Sequence, residues 1–112
     1  MKKILIYAMQ GEKMCFLHAL MNAKQLIDNG YKVSVVLEGK SVVLPKTLTD
    51  EKNPLFSKLL EEGVIAGVCL ACSKMLGSYE DNEALGLKFL GDMTGHAGVC
   101  PYLEEGYSVL VF

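Results

Sequence analysis

Apolar residues fall into five short runs separated by segments of helical period. Residues 3–9 are almost all apolar, with Ile4, Leu5, Ile6 and Tyr7 in succession, which is how a strand covered on both faces reads. After a polar turn at Gln10-Gly11-Glu12-Lys13 the period lengthens. Phe16, Leu20, Ala23 and Ile27 recur at helical spacing over residues 14–29, His18, Asn22, Gln25 and Asn29 fall on another face, and Gly30 stands where a C-terminal cap belongs. Residues 31–37 alternate as a second strand through Val33, Val35 and Leu37. A long connection, residues 38–52, holds Pro45 and several Thr and Asp residues and reads as turns. Asn53-Pro54 then supplies an N-cap and a proline at the first helical position of a helix that runs to Glu62 and stops at Gly63. A third strand, residues 64–70, leads into a helical segment, 73–86, broken near Gly77-Ser78. A short fourth strand (87–90), a loop of small residues (91–98), a short helix (100–105) and a last strand (107–112) complete the pattern.

Strands alternating with helices predict βαβ units. The expected fold is α/β: one domain over residues 1–112, a three-layer α/β/α sandwich around a mainly parallel five-stranded sheet, resembling the flavodoxin type. Sites in such sheets form at the carboxyl ends of the strands, near the point where strand order reverses. The loops at that edge start at Gln10, Glu38, Leu70 and Gly91.

Composition narrows the partners. The 112 residues are 51% hydrophobic, enough to fill a core, and the formal net charge is −2. All 11 cations are lysine, which argues against nucleic-acid binding and against bidentate grip on a phosphate or carboxylate. The longest apolar run, residues 64–72, is far short of the ~20 residues of a membrane helix. The apolar amino terminus lacks a cleavage-like stretch. These features predict a soluble cytoplasmic protein with no membrane partner, in which the four cysteines stay reduced. Gln10-Gly11-Glu12-Lys13 matches no phosphate-loop pattern, and no cofactor is expected.

The chemistry gathers at the predicted carboxyl edge. Cys15 lies in the first turn of the first helix, Cys69 and Cys72 where strand three becomes a helix, and His96 and Cys100 beyond strand four. A thiol at a helix N-terminus gains partial positive charge and unpaired N–H groups, so its pKa falls and its nucleophilicity at neutral pH rises. Cys69-Leu70-Ala71-Cys72 is the strongest local signal. Cys15, between Met14 and Phe16, reads as buried packing, and Cys100 reads equally as packing or as a site residue. His18 reads as a surface histidine, whereas His96, in Gly91-Asp92-Met93-Thr94-Gly95-His96-Ala97-Gly98, reads as a site candidate.

The opening Lys2-Lys3-Ile4-Leu5-Ile6-Tyr7-Ala8, the third strand ending in Cys69, and the closing Tyr102-Leu103-Glu104-Glu105-Gly106-Tyr107-Ser108-Val109-Leu110 resemble the DsrE/DsrF/TusD-like (DsrEFH) superfamily of small cytoplasmic sulfur-handling proteins. The likeness covers nearly the whole chain. It implies a persulfide-carrying cysteine after strand three, eight residues before a glycine, and Cys69 stands eight residues before Gly77. It also implies homotrimers or homohexamers, with sulfur donor and acceptor proteins as partners. The chain departs from the pattern in the stretch Leu70-Ala71-Cys72-Ser73-Lys74-Met75-Leu76, which carries a second thiol.

Two mechanisms therefore compete. In sulfur relay, Cys69 accepts a terminal sulfur and Cys72 either stands by or attacks the Cys69 persulfide, releasing sulfide and leaving a disulfide, with His96 as proton donor. In metal binding, Cys69, Cys72, His96 and either Cys15 or Cys100 supply a tetrahedral set suited to zinc or copper. The third reading is an assembly subunit with no chemistry of its own.

Overall fold

The aliphatic run that opens the chain becomes an interior strand. In the computed structural model, which describes residues 2–112, β1 (Lys3–Ala8) lies between β2 (Lys32–Leu37) and β5 (Tyr107–Val111). Met1, counted in the domain by the sequence reading, lies outside the described residues. Beyond β2 come β3 (Ile65–Cys69) and β4 (Phe89–Leu90), giving the order β4-β3-β2-β1-β5. Every pairing is parallel, so the sheet is wholly and not only mainly parallel. The order differs from the 2-1-3-4-5 of flavodoxin sheets. Strands one to four step in one direction, and β5 returns to the far side of β1.

Right-handed crossovers then place the helices. The connections through α1 (Lys13–Asp28), α3 (Pro54–Glu61) and α5 (Tyr79–Ala84) share one face, with α2 (Leu44–Asp50) packed on α3 and α5, and α4 (Leu70–Met75) on α5. The crossover through α6 (Cys100–Glu104) takes the other face, where Tyr102 meets Tyr107 of β5 edge-on at 5.3 Å. This is the three-layer α/β/α arrangement. Phe16, Leu20 and Ala23 of α1 and Phe56 and Leu59 of α3 are buried with Ile6, Val35, Leu37 and Val68 in one core. At ~25 cal/mol per Å² this burial is the main stabilising term of the fold.

Local signals set the ends. The Asn53 side chain accepts a hydrogen bond from the Phe56 N–H at 3.0 Å, capping α3 ahead of Pro54. Gly63, at φ +75°, turns the chain from α3 towards β3, a conformation that an L side chain resists.

Two segments differ from the sequence reading. Residues 38–52 are not a string of turns: a 3-10 segment (Gly39–Val43) runs into α2, and Val42, Leu44 and Leu48 are buried. Pro45 sits in the first turn of α2, where its missing N–H costs nothing, so it marks a helix start and not a break. The helix after β3 begins at Leu70 instead of residue 73, and the break at Gly77-Ser78 separates α4 from α5. Strand β4 has only two residues. It can approach β3 because position 67 is glycine: a Cβ there would lie 2.6 Å from the Lys88 carbonyl oxygen.

Candidate functional site

Strand parity decides which side chains can meet. Tyr7 pairs with Val36, and Val36 with Gly67, so these three share a face. Two residues on along β2 and β3, the same face receives Glu38 and Cys69, each at the carboxyl end of its strand. The loop after β4 folds across that face and brings His96 down onto them. The loop is fastened twice: Met93 and His96 exchange backbone hydrogen bonds at 2.8 and 2.9 Å, and the Ala71 N–H of α4 donates to the Gly95 carbonyl at 2.8 Å.

The result is a compact group of Glu38, Cys69, Cys72 and His96 that could hold a metal ion, with one donor atom from each lying within 4.8 Å of all the others. His96 Nδ1 is 3.3 Å from Cys69 Sγ, 3.5 Å from Cys72 Sγ and 3.3 Å from Glu38 Oε1. The Cys72 thiol donates to Glu38 Oε1 at 2.7 Å. Cys69 is the N-cap of α4, and its sulfur accepts the Cys72 N–H at 3.3 Å. Cys69 and Glu38 are buried, Cys72 is half-buried, and the His96 side chain, 37% exposed, is the corner open to solvent.

The electrostatics are those of crowded acids. Burial, then the Glu38 hydrogen bond, then Cys69, push the Cys72 thiol up to about 12. This reverses the expectation that position at a helix start lowers its pKa. Burial alone would raise the Glu38 carboxyl, but hydrogen bonds from Cys72 and Cys69 and from the Gly39 and Ala97 N–H groups outweigh it and hold it below the usual carboxylate range. Behind the group, the Tyr7 hydroxyl donates to the Ala97 carbonyl at 2.7 Å. Its pKa rises to about 12, through burial first and then through Glu38 and the two thiols.

The other candidates lie elsewhere. Cys15 is exposed, not buried, because the apolar stripe of α1 runs through Phe16, Ala19, Leu20 and Ala23. It does not join the cluster, and neither does Cys100, an exposed thiol donating to Glu104 within its own helix. The fourth donor is instead Glu38, and His18 is exposed. Sequence reasoning marked Glu38 only as the start of a loop at the right edge. A carboxylate closing an otherwise apolar strand was the available signal, and Tyr7, the polar tip in β1, was the second. The site also sits over β2 and β3, not where strand order reverses between β1 and β5. A surface depression of about 650 Å³, lined by Lys2, Lys3, Tyr31 and Glu105 at the opposite edge of the sheet, has no part in this chemistry.

With this geometry in hand, similarity can be assigned. The uncharacterized protein MJ0733 of Methanocaldococcus jannaschii is 34% identical over 97 residues, which cover 84% of this chain and 77% of the relative. The chain belongs to the family of that archaeal protein. Two uncharacterized proteins of Archaeoglobus fulgidus match shorter stretches, 36% over 44 residues and 43% over 37 residues. No family model and no solved structure matches. Among the described residues, no helix is long and apolar enough to cross a membrane.

Proposed function

We propose that this family member binds one thiophilic transition-metal ion, zinc above others, through Cys69, Cys72, His96 and Glu38. The observation that carries the reading is the convergence of four donor atoms from three separate chain segments within 4.8 Å. Zinc takes sulfur at about 2.3 Å and nitrogen or oxygen at about 2.0–2.2 Å, so tetrahedral ligand atoms stand about 3.3–3.8 Å apart. The three distances from His96 Nδ1 fit that figure, at 3.3 to 3.5 Å. The Cys72–Glu38 contact, 2.7 Å, is a proton-bridged pair that a cation would spread. A divalent ion also eases the energetic problem of the site, since it replaces the thiol protons and offsets two of the three negative charges that the thiolates and Glu38 bring together. Two thiolates and an imidazole favour zinc or copper(I) over magnesium or calcium, and the hard carboxylate favours zinc over copper(I).

A second reading, sulfur relay in a DsrE-like oligomer, draws on a different observation: Cys69 Sγ accepts a helix N-terminal N–H and faces His96, as an acceptor of a terminal sulfur needs. In it, the Cys69 thiolate attacks the outer sulfur of a donor persulfide, the donor thiolate leaves, and an acceptor thiolate later removes the sulfur. A trimer or hexamer in a reducing cytoplasm, with donor and acceptor proteins as partners, belongs to this reading.

One experiment separates the two. Protein purified without chelator under reducing conditions is weighed intact by native mass spectrometry, before and after polysulfide. The metal reading expects one bound ion per chain, absent from Cys69→Ser, and little sulfur uptake while the ion is bound. Metal-free protein that gains sulfur on Cys69 overturns it in favour of relay.

A further inference from the structure

We infer that Tyr7, 90 residues away in sequence, is a positioning residue for the metal ligands, acting through Ala97; the inference rests on the metal reading above. Ala97 is 1% exposed and is gripped on both sides. Its carbonyl accepts the Tyr7 hydroxyl at 2.7 Å, and its N–H donates to Glu38 Oε2 at 2.9 Å. The other Glu38 oxygen is held by the Gly39 N–H at 3.0 Å, and it is this oxygen that faces Cys72 and His96. The carboxylate is thereby fixed in plane and rotation, with Oε1 turned to the donor centre and Oε2 turned away. Ala97 directly follows His96, so the same grip fixes the peptide from which the imidazole hangs.

The remaining restraints on that loop do not replace this one. Met93 and Gly95 hold the turn before His96, and Asp92 accepts the Gly98 N–H at 3.0 Å, but neither contact reaches Glu38. Thr94, at φ +51°, and Gly95, at φ +91°, put two consecutive left-handed residues just ahead of His96. A loop with that backbone holds one conformation only where its surroundings fix it. Tyr7, on the interior strand of the sheet, is the rigid point from which it is fixed. Outer-shell partners of this kind set ligand direction, and their loss costs about 10–100-fold in metal affinity.

The test is Tyr7→Phe, which keeps the ring and removes only the hydroxyl. Zinc affinity is read by competition with a chromophoric chelator, and ligand geometry by the absorption of the cobalt(II)-loaded protein. The thermal midpoint of the metal-free variant reports folding separately. Tyr102→Phe, which removes the hydroxyl of a half-buried tyrosine of α6, is the control. The clamp expects at least a tenfold loss of zinc affinity in Tyr7→Phe, a weakened cobalt ligand-field band with the sulfur-to-metal band retained, and no loss in Tyr102→Phe. Wild-type affinity and spectrum in Tyr7→Phe overturn the clamp while leaving the metal site standing. A wild-type protein that takes up neither zinc nor cobalt overturns the metal reading and the clamp with it. Should Tyr7→Phe unfold, the zinc dissociation rate of Ala97→Pro decides. Proline removes the N–H that holds Glu38 Oε2, so faster release supports the clamp and an unchanged rate overturns it.

Discussion

The pairing of Cys72 with Glu38 and that of Cys100 with Glu104 contrast in a way that shows what makes a cysteine a site. Cys72 donates to Glu38 at 2.7 Å, and Cys100 donates to Glu104 at 3.3 Å. Both thiols lie near helix starts, and both have raised pKa values. The causes rank differently. At Cys72 burial comes first and the carboxylate second; at Cys100 the Glu104 hydrogen bond comes first, in open solvent. Water can answer the needs of Cys100 and Glu104. At Cys72 the neighbours are a buried carboxylate, a second, buried thiol and an imidazole open to solvent on one side, the carboxylate and imidazole brought from two other strand ends. The same residue type at the same kind of helix position becomes a candidate ligand only where the sheet delivers partners from elsewhere.

The sharpest break of that contrast is a pair of double substitutions. Cys69→Ser/Cys72→Ser removes both soft donors and is expected to abolish stoichiometric zinc binding, because Glu38 and His96 alone cannot hold the ion against dilution. Cys15→Ser/Cys100→Ser touches two exposed thiols outside the cluster and is expected to keep full metal content and a stability within about 0.5 kcal/mol of wild type. Elemental analysis and denaturant unfolding check both. Equal metal loss in the two variants would mean that the exposed thiols supply ligands and the proposed set is wrong.

The next effect runs through the backbone. Gly67→Ala would press a Cβ against the Lys88 carbonyl oxygen at 2.6 Å and against the Leu90 side chain at 2.8 and 2.9 Å. Strand β4 has two residues with which to absorb the push, so a destabilisation of about 1–3 kcal/mol follows from overpacking. The loop bearing His96 hangs from that strand, and zinc affinity should fall along with stability, whereas alkylation of Cys100 should proceed unchanged. Unfolding curves and chelator competition read the two effects separately. Lost stability with zinc affinity intact would show that His96 is held from elsewhere.

This dependence on β4 explains what the sequence disclosed and what it hid. Buried parallel strands announce themselves by unbroken apolar runs, and Asn53, Gly30 and Gly63 mark helix ends through local chemistry, so the architecture was legible. The helix at residues 44–50 was not, because Pro45 and a run of Thr and Asp carry the same letters in a loop and in a first helical turn. Cys69, Cys72 and His96 could be named because strand ends locate an edge. Glu38 and Tyr7 stood out only as a carboxylate closing one strand and a polar tip within another, and their role depends on parity across three strands and on the fold of the 91–98 loop. Those are tertiary facts with no local pattern. The expectation of a buried Cys15 failed for a related reason: helical spacing admits more than one apolar stripe when Met14, Phe16 and Leu17 flank the position.

The smallest expected effect, on metal-free protein, concerns pH. Glu38 is held below the usual carboxylate range in the folded state, so it adds stability above the unfolded carboxylate pKa, and that stability is lost as pH falls through the folded value. Cys72 is raised to about 12 from an ordinary value near 9, so its contribution is complete below pH 9 and is lost as pH climbs towards 12. Glu38→Gln should flatten both limbs. It removes the group that is paired at acid pH, and it replaces the charged acceptor that helps keep the Cys72 proton in place with a neutral one, leaving burial and the Cys69 hydrogen bond as the main causes of the rise. The Cys72 thiol then becomes easier to ionise, and its alkylation near pH 9 should accelerate in the variant while that of Cys100 keeps its wild-type rate. Peptide-resolved alkylation is the measurement. Equal acceleration at both thiols would assign the effect to loosened structure, and none at either would show that burial and Cys69 hold the Cys72 proton without the Glu38 charge. With zinc present the order reverses: the ion has already displaced that proton, so the variant should lose metal affinity instead of gaining a thiolate.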